Sequence, residues 1–186
     1  MIKITGGRAC GRTLLAPNGR QTRPTSAMVR ESLFGILGAR ILDARVLDLF
    51  CGSGALAFEA ISRGAHSAVL IDADSKAVRV ARVNAQTLCM QGQVRIHRND
   101  YQSACRVLDK RGERFDLVFL DPPYAQGLYD SALQALVPIL AREAIIVCEH
   151  ASDQPLASSL RGFSLTDVRT YGTRALSFYQ KEEDTP

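Results

Sequence analysis

The chain has 186 residues, 46% of them hydrophobic, which is enough to bury one core without disulfides or metals. Its five cysteines are an odd number without a C-x-x-C pair, and its three histidines lie far apart, so we expect neither a disulfide framework nor a metal site. No apolar run approaches membrane-spanning length, and the first residues do not resemble a signal peptide, so we expect a cytoplasmic protein without a membrane partner.

Residues 1–45 carry most of the positive charge. They hold eight basic and two acidic residues, a net charge of +6, whereas the remainder holds 15 basic and 17 acidic residues, a net charge of −2. Seven of the eight basic residues are arginines dispersed among glycines, and an arginine fork binds phosphate through two hydrogen bonds. We interpret residues 1–25 as a basic hairpin or arm that faces nucleic acid, the alternative being a solvated surface. The candidate contacts of this region are Arg8, Arg12, Arg20, Arg23 and Arg30.

The elements follow in chain order from this arm. Residues 2–5 and 12–16 predict the hairpin, Pro17-Asn18-Gly19 predicts a turn, and Ser26 or Thr25 is expected to cap a helix. Strands and helices then alternate in the order β 45–49, α 55–63, β 67–72, α 75–89, β 93–97, α 101–111, β 116–121, α 127–140, β 144–149. The continuous apolar strands indicate a parallel sheet covered by helices on both faces. Residues 163–171 and 175–180 predict a final antiparallel hairpin.

A glycine turn follows the first strand of this alternation. The strand Val46–Leu49 contains Asp48 and leads into Cys51-Gly52-Ser53-Gly54, after which a helix begins. Gly52 and Gly54 permit a tight turn and a close approach of the backbone to a ligand. The spacing Gly52-x-Gly54-x-x-Ala57 also matches a dinucleotide fingerprint, so the turn by itself is a weak signal.

Acidic or amide side chains follow the next two strands. Asp72 ends the second strand about twenty residues after the turn, where a carboxylate binds ribose hydroxyls. Asn99 and Asp100 follow the third strand. Asp100 could instead cap the next helix, and Asp74 is interpreted as such a cap for the helix that starts at residue 75. These side chains lie at the sheet edge where open α/β sheets bind ligands.

The fourth strand ends on Asp121-Pro122-Pro123-Tyr124, which we call the D-P-P-Y motif. The prolines remove two backbone donors, and the tyrosine offers a face for stacking. Such a motif is suited to binding the exocyclic amino group of a flat heterocycle. A tight turn that caps a core strand is the alternative, and the glycine turn upstream argues against it.

Taken together, the turn, Asp72, Asn99-Asp100 and the D-P-P-Y motif resemble class I S-adenosylmethionine-dependent amino-methyltransferases. The front of the chain, with Gly6-Gly7, Gly11-Arg12, Arg23-Pro24-Thr25, Val29-Arg30-Glu31 and Leu33-Phe34, is similar to the RsmD-like family of small-subunit ribosomal RNA guanine-N2 methyltransferases. The resemblance spans Ile4 to about Tyr179, with Cys51 and Tyr124 standing where the family often has alanine and phenylalanine. It implies a Rossmann-like α/β fold: a doubly wound, mostly parallel seven-stranded sheet with a C-terminal antiparallel hairpin, in a methyltransferase domain of residues 26–186.

The resemblance also implies roles for individual residues. S-adenosylmethionine would be bound by Asp48, Gly52, Ser53, Gly54, Asp72, Asn99 and Asp100, where Asp48 either braces the turn or meets the methionine ammonium. Asp121 and the carbonyl of Pro122 would accept the two N–H groups of the guanine amine, with Pro123 and Tyr124 completing the catalytic motif. Whether Asp121 is a general base or only orients the amine stays open. The expected partner is small-subunit ribosomal RNA in an assembling particle, bound by a monomer.

Three other functions remain as alternatives. A nicotinamide-dependent oxidoreductase would explain the turn and Asp72 but gives the D-P-P-Y motif no role. An amino-methyltransferase of another RNA or DNA base, or of a protein amide, would use a similar motif, and the basic arm favours nucleic acid over protein. A non-enzymatic RNA-binding module would leave the cofactor and D-P-P-Y motifs without a purpose.

Overall fold

A computed structural model describes residues 2–17, 26–122, 127–160 and 162–182 of the protein. The helices are α1 Ala27–Leu37, α2 Ala55–Ser62, α3 Ser75–Thr87, α4 Tyr101–Lys110 and α5 Gly127–Leu136, and short 3-10 helices cover Gly7–Ala9, Gly38–Ile41 and Val137–Ile139. The strands are β1 Ile2–Lys3, β2 Thr13–Leu14, β3 Arg45–Asp48, β4 Ser67–Asp72, β5 Val94–Arg98, β6 Phe115–Leu120, β7 Leu140–Ala151, β8 Ser159–Leu160, β9 Phe163–Tyr171 and β10 Arg174–Lys181.

The main sheet has the strand order β5-β4-β3-β6-β7-β10-β9-β8. Strands β5, β4, β3, β6 and β7 are parallel neighbours, and β10 pairs antiparallel with both β7 and β9. Seven of these strands correspond to the predicted sheet and its final hairpin, so the mostly parallel sheet is confirmed. The two-residue β8 at the edge was not predicted. The predicted helix 127–140 was too long, because α5 ends at residue 136 and a 3-10 turn containing Pro138 leads directly into β7.

The core lies on both faces of the sheet. Val46 of β3 belongs to the cluster that packs under α1, α2 and α3, whereas the next residue, Leu47, belongs to the cluster under α4 and α5. Because side chains alternate along a strand, a strand covered on both faces must be apolar at every position. This explains the uninterrupted apolar runs, and it leaves the strand ends as the place for polar groups. Among the described residues, no helix combines the length and apolar character needed to cross a membrane.

Residues 2–17 are packed into the same core rather than standing apart. Strands β1 and β2 form the antiparallel hairpin, and Ile4 and Leu14 are 2% and 1% exposed in the cluster under α1, α2 and α3. The backbone N–H and the hydroxyl of Thr5 both donate to the buried carboxylate of Glu59, at 2.8 Å each. Residues 2–17 therefore cannot be removed without exposing part of the core. The predicted turn at residues 17–19 extends beyond the described residues, as does the predicted domain boundary at residue 25.

Candidate active site at the strand ends

The carboxyl ends of β4, β3 and β6 lie side by side, because these strands are adjacent in the sheet. Asp72 ends β4, Asp48 ends β3, and Asp121 follows the last residue of β6. Two backbone hydrogen bonds continue this alignment beyond the end of β3. Leu49 N–H donates to the Phe119 carbonyl at 3.2 Å, and Cys51 N–H donates to the Ile71 carbonyl at 2.9 Å. Three carboxylates from distant parts of the sequence thus converge at one edge.

The glycine turn crosses this edge between β3 and α2. Gly52 and Gly54 have φ angles of 54° and 79°, a region that side chains other than glycine rarely adopt. A Cβ on Gly54 would lie 2.5 Å from the ring of Phe58 and 2.8 Å from the side chain of Leu70. Gly54 is therefore required both by its backbone conformation and by the packing beneath it.

Asp72 holds the turn in place. Its carboxylate accepts hydrogen bonds from the backbone N–H groups of Gly52 and Asp74, both at 2.9 Å, and its side chain is 4% exposed. Asp74 in turn caps α3 by accepting from Lys76 N–H at 2.9 Å, as predicted.

Asp48 is buried beneath the turn, with 4% of its surface exposed. Burial is the largest cause that raises the pKa of Asp48 to about 8, and the charges of Asp121 and Asp72 act in the same direction. A hydrogen bond from the backbone N–H of Ala57, in the first turn of α2, opposes this rise. The carboxyl group therefore joins β3 to the start of α2, which agrees with the bracing alternative.

Asp100 caps α4, because its carboxylate accepts the N–H of Ser103 at 2.9 Å. This hydrogen bond is the main cause that lowers the pKa of Asp100. Asn99 lies beside it, with its N–H donating to the carbonyl of Asp72 at 3.1 Å and its side-chain oxygen accepting Asp100 N–H at 3.0 Å. The capping alternative is thus realised, and the exposed Asp100 can still accept from a ligand amine.

The first half of the D-P-P-Y motif lies beside this group. Asp121 is partly exposed and Pro122 is buried, while Pro123 and Tyr124 lie outside the described residues. Burial, followed by the charge of Asp121, raises the pKa of Tyr129, which places this tyrosine near the motif. The Tyr129 hydroxyl donates to the carbonyl of Glu149 at 2.5 Å. The start of α5 is thereby tied to β7 on the side of the sheet next to Asp121.

The chain is similar to a known protein family over nearly its whole length. The family model described as "Conserved hypothetical protein 95" matches residues 2–180. The chain is 37% identical over 183 residues to "Ribosomal RNA small subunit methyltransferase D" of Escherichia coli K12, covering 97% of this chain and 90% of that one. This chain belongs to the conserved hypothetical protein 95 family. The predicted RsmD-like family is thereby confirmed.

A solved structure agrees with the fold. "Putative methyltransferase yhhF" from Escherichia coli superposes with a TM-score of 0.83 at 34% identity, over 97% of this chain and 98% of that chain. The fold is therefore the Rossmann-like class I methyltransferase fold that the sequence predicted.

Sequence reasoning missed one residue that organises the site of this RsmD-like chain. Asn84 of α3 is fully buried and donates to the carbonyl of Ser53 in the glycine turn at 2.9 Å. The same amide accepts Leu15 N–H at 2.8 Å and donates to the Leu15 carbonyl at 3.0 Å. It therefore connects Leu15 to the glycine turn. An asparagine on the apolar face of a predicted helix was the available signal, because a buried amide requires partners.

An aromatic pair also flanks the strand ends. Phe50 lies just before the glycine turn, and its ring centroid is 5.6 Å from that of Tyr101, at the start of α4. The Tyr101 hydroxyl is 2.8 Å from the hydroxyl of Ser131 in α5. Neither ring was predicted to have a role. Together they join the ends of β3, α4 and α5 around the site.

The predicted nucleic-acid arginines are not all equivalent. Arg8 and Arg12 are exposed, and they donate to the side chain of Gln93 and the carbonyl of Thr87, respectively. Arg30 is only 2% exposed and donates to the Lys3 carbonyl at 2.5 Å, so its burial removes it from the set that could contact RNA. Arg20 and Arg23 lie outside the described residues.

Proposed function

We propose that this protein transfers a methyl group from S-adenosylmethionine to the exocyclic N2 amine of a guanine in small-subunit ribosomal RNA. Family membership supports the coarser statement that the chain is an S-adenosylmethionine-dependent ribosomal RNA methyltransferase. The choice of the guanine N2 amine is the finer part of the proposal.

One observation carries this proposal most directly. A glycine turn held by Asp72 adjoins Asp121, which opens the D-P-P-Y motif on the neighbouring part of the sheet. A cofactor site and an acceptor for an amino group therefore share one edge. This arrangement suits a transfer between two bound molecules, because it holds both in one orientation.

The chemistry of the donor set fits S-adenosylmethionine. The cofactor carries positive charge on its sulfonium and ammonium groups, and the strand ends supply the carboxylates of Asp72 and Asp121. We assign the ribose hydroxyls to Asp72 and the adenine amine to Asp100 beside Asn99. Gly52, Ser53 and Gly54 would lie under the methionine part. Asp48 would act mainly through the turn, because Ala57 N–H already engages its carboxyl group.

When bound, S-adenosylmethionine supplies an electrophilic methyl group. The guanine amine is a poor nucleophile, because its lone pair is delocalised into the ring. Asp121 and the Pro122 carbonyl would accept its two N–H groups and turn the lone pair toward the methyl group. Tyr124 would stack on the base, a contact worth about 1–3 kcal/mol. The transfer would leave S-adenosylhomocysteine as the second product, and Asp121 or water would take the proton that the methylated amine loses.

The substrate is proposed to be an exposed base in an assembling particle, because a base in a loop needs little unstacking. The exposed arginines Arg8 and Arg12 support binding of a polyanion. A monomeric state stays a prediction.

Mass mapping of modified nucleosides tests the proposal. Small-subunit ribosomal RNA from cells with and without the gene is digested and compared, and purified protein with labelled S-adenosylmethionine is then added to the unmodified particles and to the free RNA. One N2-methylguanosine should be missing without the gene and restored by the protein. Restoration of a methylated adenine or a methylated protein amide would refute the guanine assignment while retaining the methyltransferase.

A further inference from the structure

Strand β5 forms one open edge of the main sheet, because it pairs only with β4 among the described strands. Exposed arginines from four parts of the chain surround this strand. We call them the basic edge: Arg8, Arg12, Arg82, Arg95, Arg98 and Arg111.

Hydrogen bonds hold four of these arginines along the length of β5. Arg8 and Arg12 bind Gln93 and the carbonyl of Thr87, next to the amino end of the strand. Arg82 of α3 donates to the carbonyl of Ile96 at 3.3 Å, in the middle of the strand. At the carboxyl end, Arg98 donates to the carbonyl of Ala73 at 3.2 Å, one residue after Asp72. The basic edge thus ends beside the cofactor site.

The positive charge of this region is only partly neutralised. Arg95 forms a bidentate ion pair with Glu113. Even so, the pKa of His97 is lowered, first by burial and then by the charges of Arg95, Arg111 and Arg82, with Glu113 acting weakly in the opposite direction. Three arginine charges and one glutamate charge thus lie near His97, in the middle of β5.

Protection of an open strand is the ordinary explanation for charged residues on it, because charges discourage pairing with another chain. That explanation covers Arg95 and Arg98, which lie on β5 itself. It does not explain why Arg8, Arg82 and Arg111 converge on the same strand from other elements.

We propose that the basic edge binds the phosphate backbone of small-subunit ribosomal RNA beside the segment that carries the target base. This proposal rests on the proposed function. Five residues of β5 extend about 16 Å, which is enough to contact several successive phosphates. RNA lying along this edge reaches the candidate active site at Arg98, and arginine forks match phosphate geometry. The edge supplies affinity independent of sequence, while the D-P-P-Y motif selects the amine.

Two charge-matched triple variants test the basic edge. The edge variant carries Arg82→Gln, Arg95→Gln and Arg111→Gln, and the control carries Arg40→Gln, Arg142→Gln and Arg169→Gln, three exposed arginines elsewhere. Binding to unmethylated small-subunit ribosomal RNA is measured between about 50 and 200 mM salt. Binding of S-adenosylhomocysteine reports whether each variant is folded and should change less than about twofold, because neither triple removes a residue assigned to the cofactor.

The edge variant should bind the RNA at least about tenfold more weakly, and the slope of log affinity against log salt should fall by about 2 to 3. The control should stay close to the unmodified protein. An unchanged affinity and slope in the edge variant, or equal losses in both variants, would overturn the proposal. So would stronger binding of the unmodified protein to anionic phospholipid vesicles than to RNA. If RNA binding depends on the edge but no guanine is methylated, the proposed function fails while the basic edge stands.

Discussion

Asp48 and Arg95 show how different the surroundings of an ionisable group are at the candidate active site and on the basic edge. Asp48 is 4% exposed, lies beside two other carboxylates and has its pKa raised to about 8. The Arg95 side chain is 50% exposed and forms an ion pair with Glu113 at the open edge of the same sheet. The two residues lie only a few strands apart, since β4 separates β3 from β5.

The difference follows from the solvent around each group. Buried carboxylates interact strongly and directionally, which suits one small cationic cofactor. Exposed guanidinium groups are screened by salt over about 10 Å, so they act collectively on a polyanion. Substitutions in the candidate active site should therefore affect the rate of methyl transfer and the pH dependence of stability. Substitutions at the basic edge should instead affect the salt dependence of RNA binding.

Among substitutions in the candidate active site, loss of Asp121 should have the largest effect on the rate of methyl transfer. Asp121→Ala should lower the single-turnover rate of methyl transfer by about 10²-fold or more, because the acceptor amine loses its alignment. Affinity for S-adenosylhomocysteine should be nearly retained, because Asp121 lies beyond β6 and leaves no core cavity. Wild-type rates in this variant would place the chemistry elsewhere.

Asp121→Asn distinguishes the two roles left open for this residue. Asparagine keeps one acceptor oxygen but cannot take a proton. An orienting role predicts partial activity, and a general-base role predicts nearly complete loss, in single turnovers with saturating cofactor.

Substitution of Asp72 should chiefly affect the cofactor. Asp72→Asn should weaken S-adenosylhomocysteine binding by about tenfold or more in calorimetry, because a charged acceptor of hydrogen bonds is lost. Asp72→Ala should in addition lower the free energy of unfolding by about 1–3 kcal/mol, since Gly52 N–H and Asp74 N–H lose their acceptor. Unchanged affinity in Asp72→Asn would contradict the assigned ribose contact.

The smallest effect on activity, but a distinct one on stability, is expected for Asp48. The folded protein keeps the Asp48 proton up to about pH 8, whereas the unfolded chain releases it near 3.8. The stability contributed by this group is therefore fully present below pH 3.8 and is lost as the pH rises toward 8, at up to about 1.4 kcal/mol per pH unit.

Asp48→Asn should remove this dependence, since its amide oxygen can still accept Ala57 N–H. Denaturant unfolding of the cofactor-free protein at several pH values measures the change. Between pH 4 and pH 8, the free energy of unfolding of the variant should rise relative to that of the unmodified protein. If the two free energies instead changed in parallel with pH, Asp48 would be ionised in the folded state.

Much of the fold was predictable from the sequence, because local pattern and tertiary burial agree in this chain. The predicted strand 67–72 and the start of the helix at residue 75 match the structure, since Asp74 both interrupts the apolar run and caps α3. Strand β8 escaped prediction, because two residues at a sheet edge carry no periodicity. The predicted strand 144–149 was too short, since the polar residues 141–143 continue the same strand as β7.

The site was predictable as a set of strand ends but not as a network. Gly54 and Asp72 follow directly from the motif, whereas Arg30 was misassigned because a helical arginine gives no sequence sign that its side chain is buried. Asn84 was missed because its partners, Leu15 and Ser53, lie far away in sequence. The basic edge was missed for the same reason, since its arginines become neighbours only in the folded sheet.

The contacts of residues 2–17 have a consequence for the synthesis of the protein. Thr5 binds Glu59, Ala9 N–H donates to Ser62 at 2.9 Å, and Leu15 binds Asn84. Translation proceeds from the amino end, so these residues leave the ribosome before any of their partners exist. A nascent chain arrested before α3 would expose the first hairpin to proteases, and one arrested after α3 has emerged could protect it. Residues 2–17 are thus secured only after α2 and α3 have been made.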